Sequence, residues 1–199
     1  MTLDLFLALT LFAAIAAYTP GPNNTLLMAC GINYGFRASL PMIAGVGIGF
    51  PVLIVCVGLG LGKVFATYPN IYTAMKFIGA AYMIWLAFKI ATAKHSDGVA
   101  VAASKPMTFL QGCAFQWVNP KAWFMGVTAL STYTLASDYY VGLAIVAGIF
   151  VFMGFTSATT WALFGVALKS VMNDQRWFRL INVGLAALLL VSLVPMLGH

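Results

Sequence analysis

Apolar residues along the chain fall into long runs, and polar residues gather in the short stretches between them. A helix rises 1.5 Å per residue, so about 20 apolar residues cross a hydrocarbon core of ~30 Å. Six runs satisfy this: residues 3 to about 31, 39–61, 71–91, 108–136, 139 to about 168, and 180–197. The second carries no charge; the third holds Lys76 and Lys89 near its ends, where a lysine can snorkel to the interface. The one long polar connection is roughly 92–107. The pattern predicts an all-α membrane protein of six transmembrane helices, forming a single domain over residues 1–199.

Two of the six runs are interrupted. The first contains Thr19-Pro20-Gly21-Pro22-Asn23-Asn24 and the fourth Trp117-Val118-Asn119-Pro120-Lys121. Proline lacks an N–H and clashes with the preceding turn, so neither run continues as one regular helix. Freed backbone groups are tolerated at membrane depth where protein buries them or a wet cavity borders them. If the fourth span starts near Thr108, Lys121 lies roughly 20 Å along it, well inside the core. An ionisable residue there is a functional candidate by default.

The breaks lie about 100 residues apart, and weaker echoes share that spacing: Ala44-Gly45 with Ala147-Gly148, and Gly79 with Gly184. The chain therefore reads as two halves of three spans, approximately 1–95 and 106–199, joined by the polar linker 92–107. Three is odd, so the second half enters the membrane from the opposite side. Such a 3+3 inverted repeat, with helices 1 and 4 broken in corresponding positions, points to a transport site at the breaks.

Composition narrows the class further. The chain is 62% hydrophobic and 7% charged, with a mean hydropathy of +0.97, against about 25% charged residues in soluble domains. This excludes a soluble enzyme, a disordered tail and a secreted disulfide scaffold. The net charge of +6 comes without a basic stripe interleaved with aromatics, so no nucleic-acid partner is expected. Instead the cations sort by side. Connections 1–2, 3–4 and 5–6 hold Arg37, then Lys89, Lys94 and Lys105, then Lys169, Arg176 and Arg179; the opposite side has Lys63 and Lys76. Seven against two places those connections in the cytoplasm and both termini outside. No positive segment precedes Leu5, so the first span reads as retained rather than as a cleaved signal.

The breaks carry the candidate chemistry. Each exposes the N-terminus of a following half-helix, whose unpaired N–H groups favour an anion. Asn23, Asn24, Gln116 and Asn119 add amides, and Lys121 adds a cation. With Pro20, Gly21, Pro22 and Pro120 these residues form the candidate substrate site. A cation, helix N-termini and amides suit a zwitterionic amino acid: carboxylate toward Lys121 or the half-helix donors, ammonium toward asparagine oxygens and freed carbonyls. Plainer roles stand beside this one. Asn24 and Asn119 can cap the half-helices, and Lys121 can be a structural cation holding carbonyls of the break. The fifth span carries a cluster of Thr156, Ser157, Thr159 and Thr160; Thr156, Thr159 and Thr160 are candidates for cavity lining, although back-bonding to the helix or packing on a neighbour is the commoner use of such residues.

Other chemistries lack their parts. Cys30, Cys56 and Cys113 form no C-x-x-C, which argues against a thiol relay or a metal site. Gly45-Val46-Gly47-Ile48-Gly49 and Gly58-Leu59-Gly60-Leu61-Gly62 fail the P-loop spacing, since Val57 and Val64 stand where glycine and Ser/Thr are required. Their small residues read as close helix contacts. No ATP motif, cofactor motif or channel-filter loop is present. The acids Asp4, Asp97, Asp138 and Asp174 and both histidines lie outside the spans or at their ends, leaving Lys121 as the one candidate for proton coupling. A substrate carboxylate beside it couples proton and substrate in the same direction; antiport requires the substrate's ammonium to compete with the proton.

These residues also carry a family likeness. Thr19-Pro20-Gly21-Pro22-Asn23-Asn24, Gly35-Phe36-Arg37, Gly79-Ala80-Ala81-Tyr82-Met83-Ile84-Trp85-Leu86 and Asn119-Pro120-Lys121 resemble the lysine exporter (LysE/RhtB) family over nearly the whole chain. The resemblance implies a multi-pass inner-membrane exporter of amino acids or close derivatives, not an enzyme. Gly126-Val127-Thr128-Ala129-Leu130-Ser131-Thr132 and Lys89-Ile90-Ala91-Thr92 look closest to the cysteine/O-acetylserine exporter branch, with small neutral amino acids as expected cargo. Export of homoserine, threonine, leucine or basic residues is the main alternative; an assembly protein or intramembrane thiol relay is a weaker one. The bilayer and the solute are the expected partners, and homo-oligomerisation stays open. The topology gives the first test: a reporter fused after His199 is expected to be active on the outer face, and activity only on the cytoplasmic face would reverse the orientation.

Overall fold

A computed structural model describes residues 1–61, 67, 69–92, 105–170 and 175–191. Among these the regular elements are all helical. Helix α1 (Leu3–Tyr18) starts at Thr2, whose Oγ1 accepts the Leu5 N–H at 3.4 Å. It stops where Pro20 forces Thr19 into extended backbone, φ −63° and ψ 143°. Gly21 is fully extended, and α2 (Pro22–Tyr34) begins with Pro22 in its first turn, the helical position where a missing N–H is tolerated. The two half-helices meet at 51°. Gly35, at φ +81°, turns the chain into α3 (Phe36–Cys56), which widens into a last turn over Val57–Leu61 that kinks at Gly60, φ +122°.

Helix α4 (Pro69–Ala91) follows. Helix α5 (Phe109–Val118) opens with a capping box between Thr108 and Gln111 and ends at Asn119; α6 (Pro120–Tyr133) starts at once, with Pro120 in its first turn. A 3-10 turn, Ala136–Asp138, leads into the long α7 (Tyr139–Ser170), and α8 (Gln175–Val191) completes the described chain. The expected runs therefore appear as helices with shifted ends. Arg37 sits inside the first turn of α3 rather than in a connection, because Gly35 alone makes the turn. Among the described residues two stretches are each long and apolar enough to cross a membrane, Phe36–Leu61 and Ala136–Lys169, and the bent pair α1–α2 makes a third. Residues 192–197 of the expected sixth span lie outside the described residues, as do Lys63, Lys94, Asp97 and Asp174.

Helices α3 and α7 lie side by side at the centre; α2 packs on α7, α5 on α3, and α4 on α8. Glycine makes the central crossings possible. A Cβ on Gly31 would come within 2.1 Å of the Ala162 carbonyl oxygen, and one on Gly165 within 2.2 Å of the Met28 carbonyl oxygen. On the other side, a Cβ on Gly45 would lie 2.4 Å from the Phe109 carbonyl oxygen and one on Gly49 2.6 Å from Cys113 Cα. Backbones touch here because no side chain intervenes, which is how helices associate without a hydrophobic force between them. Each of the three cysteines is free.

Buried apolar residues separate into two clusters. One joins α2, α4, α8, the start of α3 and the end of α7, around Leu27, Met42, Met83 and Ala162. The other joins α1, α6, the end of α3 and the start of α7, around Leu9, Leu53, Ala129 and Phe150. Gly31→Ala is expected to lower the thermal stability of the purified protein by about 1–3 kcal/mol, the usual range for overpacking. Gly148→Ala, whose Cβ would meet nothing within 4 Å, is expected to change it little. Equal melting temperatures for the two variants would show that the α2–α7 crossing tolerates separation.

Candidate functional site

Proline at each break leaves carbonyls without their usual donors, and the structure supplies substitutes one by one. At the end of α1, the N–H missing from Pro20 would have served the Ala16 carbonyl; Thr19 Oγ1 donates to it instead, at 3.0 Å. The Ala17 carbonyl accepts from Asn24 Nδ2 and from Ser157 Oγ, both at 2.8 Å. The Thr19 carbonyl accepts from Asn24 Nδ2 at 2.8 Å and from Lys121 Nζ at 2.7 Å. Lys121 Nζ also donates to Thr19 Oγ1 at 2.9 Å and to the Pro20 carbonyl at 3.4 Å. The lysine of the second break thus grips the first across about 100 residues of sequence.

The second break is closed the same way. Asn119 Oδ1 accepts the Lys121 N–H at 3.1 Å, capping α6, and Trp123 Nε1 donates to the Trp117 carbonyl at 2.9 Å. A reciprocal amide pair ties α2 to α5: Asn23 Nδ2 donates to Gln116 Oε1 at 2.8 Å, and Gln116 Nε2 donates to Asn23 Oδ1 at 3.1 Å. Gln116 Nε2 also donates to the Gly112 carbonyl at 2.9 Å. Among the described residues no buried side-chain nitrogen or oxygen lacks a partner.

Between the breaks lies a cavity of about 40 Å³, with Asn23, Asn24, Asn119, Lys121 and Ser157 as its polar lining and Gly21 and Gly154 as its glycines. Phe50 and Phe150 also border it, with ring centroids 5.1 Å apart, edge to face. A water needs roughly 10–15 Å³ by this measure, and ligand pockets run to about 300 Å³ or more, so the space suits a few waters and is closed to a larger solute. Gly21 is required at its wall: a Cβ there would stand 2.8 Å from Lys121 Cδ. The two half-helix N-termini differ. Helix α6 is capped by Asn119, whereas α2 has Gly21 at its N-cap and no side-chain cap. The arrangement can hold a cation at the carbonyl end of α1 and leaves the N–H end of α2 open to an anion.

The candidate residues are thus sorted. Gly21, Asn23, Asn24, Asn119 and Lys121 converge on the cavity. Gln116 is fully buried and stands behind Asn23; Pro20, Pro22 and Pro120 shape the breaks. Asn24 spends its donors on carbonyls of α1, and Asn119 is a cap. The threonines of α7 do not border the cavity: Thr156 Oγ1 donates to the Phe152 and Met153 carbonyls and Thr160 Oγ1 to the Thr156 carbonyl, and Thr159 is absent from the lining. Ser157, on the buried face with Phe150 and Gly154, reaches it in their place. Helical phase was the available signal, since the small residue in step with Gly154 and Ala158 faces inward.

Asn24 acts as a double donor to carbonyls that each keep a second donor, Ser157 or Lys121, so Asn24→Asp is expected to destabilise the purified protein at least as much as Asn24→Ala, by about 0.5–1.5 kcal/mol per lost hydrogen bond. Thermal unfolding in detergent measures it; a wild-type melting temperature for Asn24→Asp would refute the donor role.

The LysE type translocator family matches residues 14–194. The chain is 34% identical over 200 residues to the cysteine/O-acetylserine efflux protein of Escherichia coli (strain K12), covering 98% of each. It is likewise 34% identical over 199 residues to the cysteine/O-acetylserine efflux protein of Salmonella typhimurium (strain LT2), again with 98% of each chain covered. No solved structure matches. A match across nearly the whole length, breaks included, makes this chain a member of the LysE type translocator family.

Proposed function

We propose that the protein is a secondary transporter of the inner membrane that exports small neutral amino acids or close derivatives, with cysteine and O-acetylserine, named for its relatives, the leading substrates. The observation that carries this reading is the Lys121 ammonium lodged on the Thr19 and Pro20 carbonyls, which makes one polar site of two helix breaks. The carbonyl end of α1 already holds a primary ammonium. A solute's ammonium takes over those carbonyls, and its carboxylate takes the uncapped N-terminus of α2, which leaves the displaced Lys121 without a counter-ion. Two ammonium groups competing for one set of acceptors has the sign that antiport needs: solute binding displaces a charged lysine, which can then give up its proton.

The wider architecture belongs to the same proposal. The chain is one domain of six spans in an inverted 3+3 repeat, with residues 1–95 and 106–199 as halves and both termini outside. The pairing of corresponding helices supports this, α3 with α7 and α4 with α8, as does the equivalence of the α1–α2 and α5–α6 breaks. Because the cavity is closed to a solute, transport requires the halves to part around Lys121.

Everted membrane vesicles containing the protein are expected to accumulate cysteine or O-acetylserine above vesicles without it; equal accumulation across a panel of amino acids would reject the function. Lys121→Ala is expected to insert normally and to transport at least about tenfold more slowly, as loss of a charge-assisted contact of 1.5–3 kcal/mol implies. Transport at the wild-type rate would remove Lys121 from the site.

A further inference from the structure

A second cavity, of about 390 Å³, lies apart from the breaks between α2, α4 and the start of α5. Its walls are two helix faces in register. From α2 come Leu26, Ala29, Cys30 and Asn33, and from α4 come Tyr82, Trp85, Leu86 and Lys89, each set spaced i, i+3, i+4, i+7, so each helix turns one full stripe toward the space. Lys105 and Gln111 border it as well.

The polar groups gather at one end. Lys89 Nζ sits 5.5 Å from the Trp85 ring centre, and Trp85 stacks on Tyr82 with centroids 5.6 Å apart. No acid pairs with Lys89 or Lys105 among the described residues. Asn33 donates through Nδ2 to the Ala29 carbonyl and to Asn182 Oδ1, which leaves its own carbonyl oxygen without a partner among the described residues. Two cations, a free amide oxygen and an aromatic face are the groups needed for a small zwitterion: carboxylate on the lysines, ammonium on Asn33 and the ring faces.

The position gives this chemistry a purpose. The cavity follows α2 from near Tyr34, at the end where loop cations gather, to Leu26, roughly 12 Å at 1.5 Å per residue. Leu26 is one turn from Asn23, which borders the central cavity. On α5 the path runs from Gln111 toward Gln116. Between the two cavities stands the Asn23–Gln116 amide pair, with Phe115 packed beside Tyr82 at 6.1 Å.

We propose that this cavity is an inner waiting site for the zwitterionic amino acid, held by Lys89 and Lys105, and that the Asn23–Gln116 pair is the partition it passes to reach the breaks. The proposal rests on the export reading for its direction and on its own geometry for its existence.

Two measurements test it. In purified protein, O-acetylserine or serine is expected to change the tryptophan emission saturably, by perturbing Lys89 over Trp85. The change is expected to vanish in Trp85→Phe and in the double variant Lys89→Gln, Lys105→Gln. In vesicles, the double variant is expected to raise KM for export about tenfold when solute is offered from the cytoplasmic face, with the maximal export rate unchanged. No saturable emission change or an unchanged cytoplasmic KM would overturn the inner site. Vesicles of phosphatidylcholine alone, against vesicles containing phosphatidylglycerol, provide the remaining arm. If the wild type in phosphatidylcholine alone behaves as the double variant, the lysines hold an anionic lipid headgroup and the proposal fails. Should the wild type transport nothing yet titrate by Trp85 emission, the export reading falls and the binding site stands.

Discussion

The structure depends on one requirement: carbonyl and amide groups freed by proline at membrane depth must find partners within the protein or in the small cavity beside them. Residues 16–20 show how fully this is met. The Ala16, Ala17, Thr19 and Pro20 carbonyls receive donors from Thr19, Asn24, Ser157 and Lys121, which arrive from both sides of the break and from two other helices. No hydrocarbon-compatible arrangement of α1 and α2 alone would do it. The break therefore ties α6 and α7 to α1 through Lys121 and Ser157. The same bonds that let the chain cross the membrane while bent give the centre its polarity. On the proposed reading, structural satisfaction and solute recognition use one set of atoms, and a solute replaces a protein donor only by offering an equivalent one.

That set of atoms lies where the two hydrophobic clusters meet. Helices α1 and α6 belong to one cluster, and α2 and α5 are joined to the other through Leu26, Leu27 and Phe115. Each broken span thus contributes one half-helix to each cluster, and its bend falls between them. A continuous helix would weld the clusters together. A break with replaceable side-chain donors leaves each intact while permitting the junction to change, and both junctions are held by the same lysine.

Much of this was legible in the sequence, for identifiable reasons. Proline and glycine act through backbone geometry, so Pro20, Gly21, Pro22 and Pro120 marked the breaks whatever surrounded them. Apolar runs of more than 20 residues marked α3 and α7. Partnerships were not legible, because hydrogen bonds between residues 19 and 121 or 23 and 116 depend on tertiary placement. The sequence lets Lys121 partner a carboxylate or clamp carbonyls, and only the geometry shows its ammonium on the carbonyls. Thr156, Ser157, Thr159 and Thr160 stand together in the sequence, but a helix turns adjacent residues about 100° apart. Ser157 therefore faces the cavity while Thr156 and Thr160 bond their own backbone. The cavity beside Trp85 had no sequence signal beyond a lysine near a span end.

The two clusters are also sealed by different means, and this bears on which of them opens. Around α2 and α5 the contacts are backbone on backbone, through Gly31, Gly165, Gly45 and Gly49. Around α1 and α6 they are ring on ring: Phe12 lies 5.6 Å from Tyr133 and 6.5 Å from Phe150, which in turn meets Phe50 at 5.1 Å. Separating glycine-lined backbones exposes peptide groups and loses many close contacts at once, since neither helix has side chains to fill the gap. Aromatic rings instead swing about χ1 and χ2 while their helices stay in place. If the protein transports as proposed, the ring-sealed end is the easier to part, and the glycine-sealed end moves as a rigid seam with the Asn23–Gln116 pair released ahead of it. A transporter needs each end to open in turn. Here one barrier is set by side-chain rotation and the other by helix separation, and the single cation between them is bonded to the carbonyls of both Thr19 and Pro20.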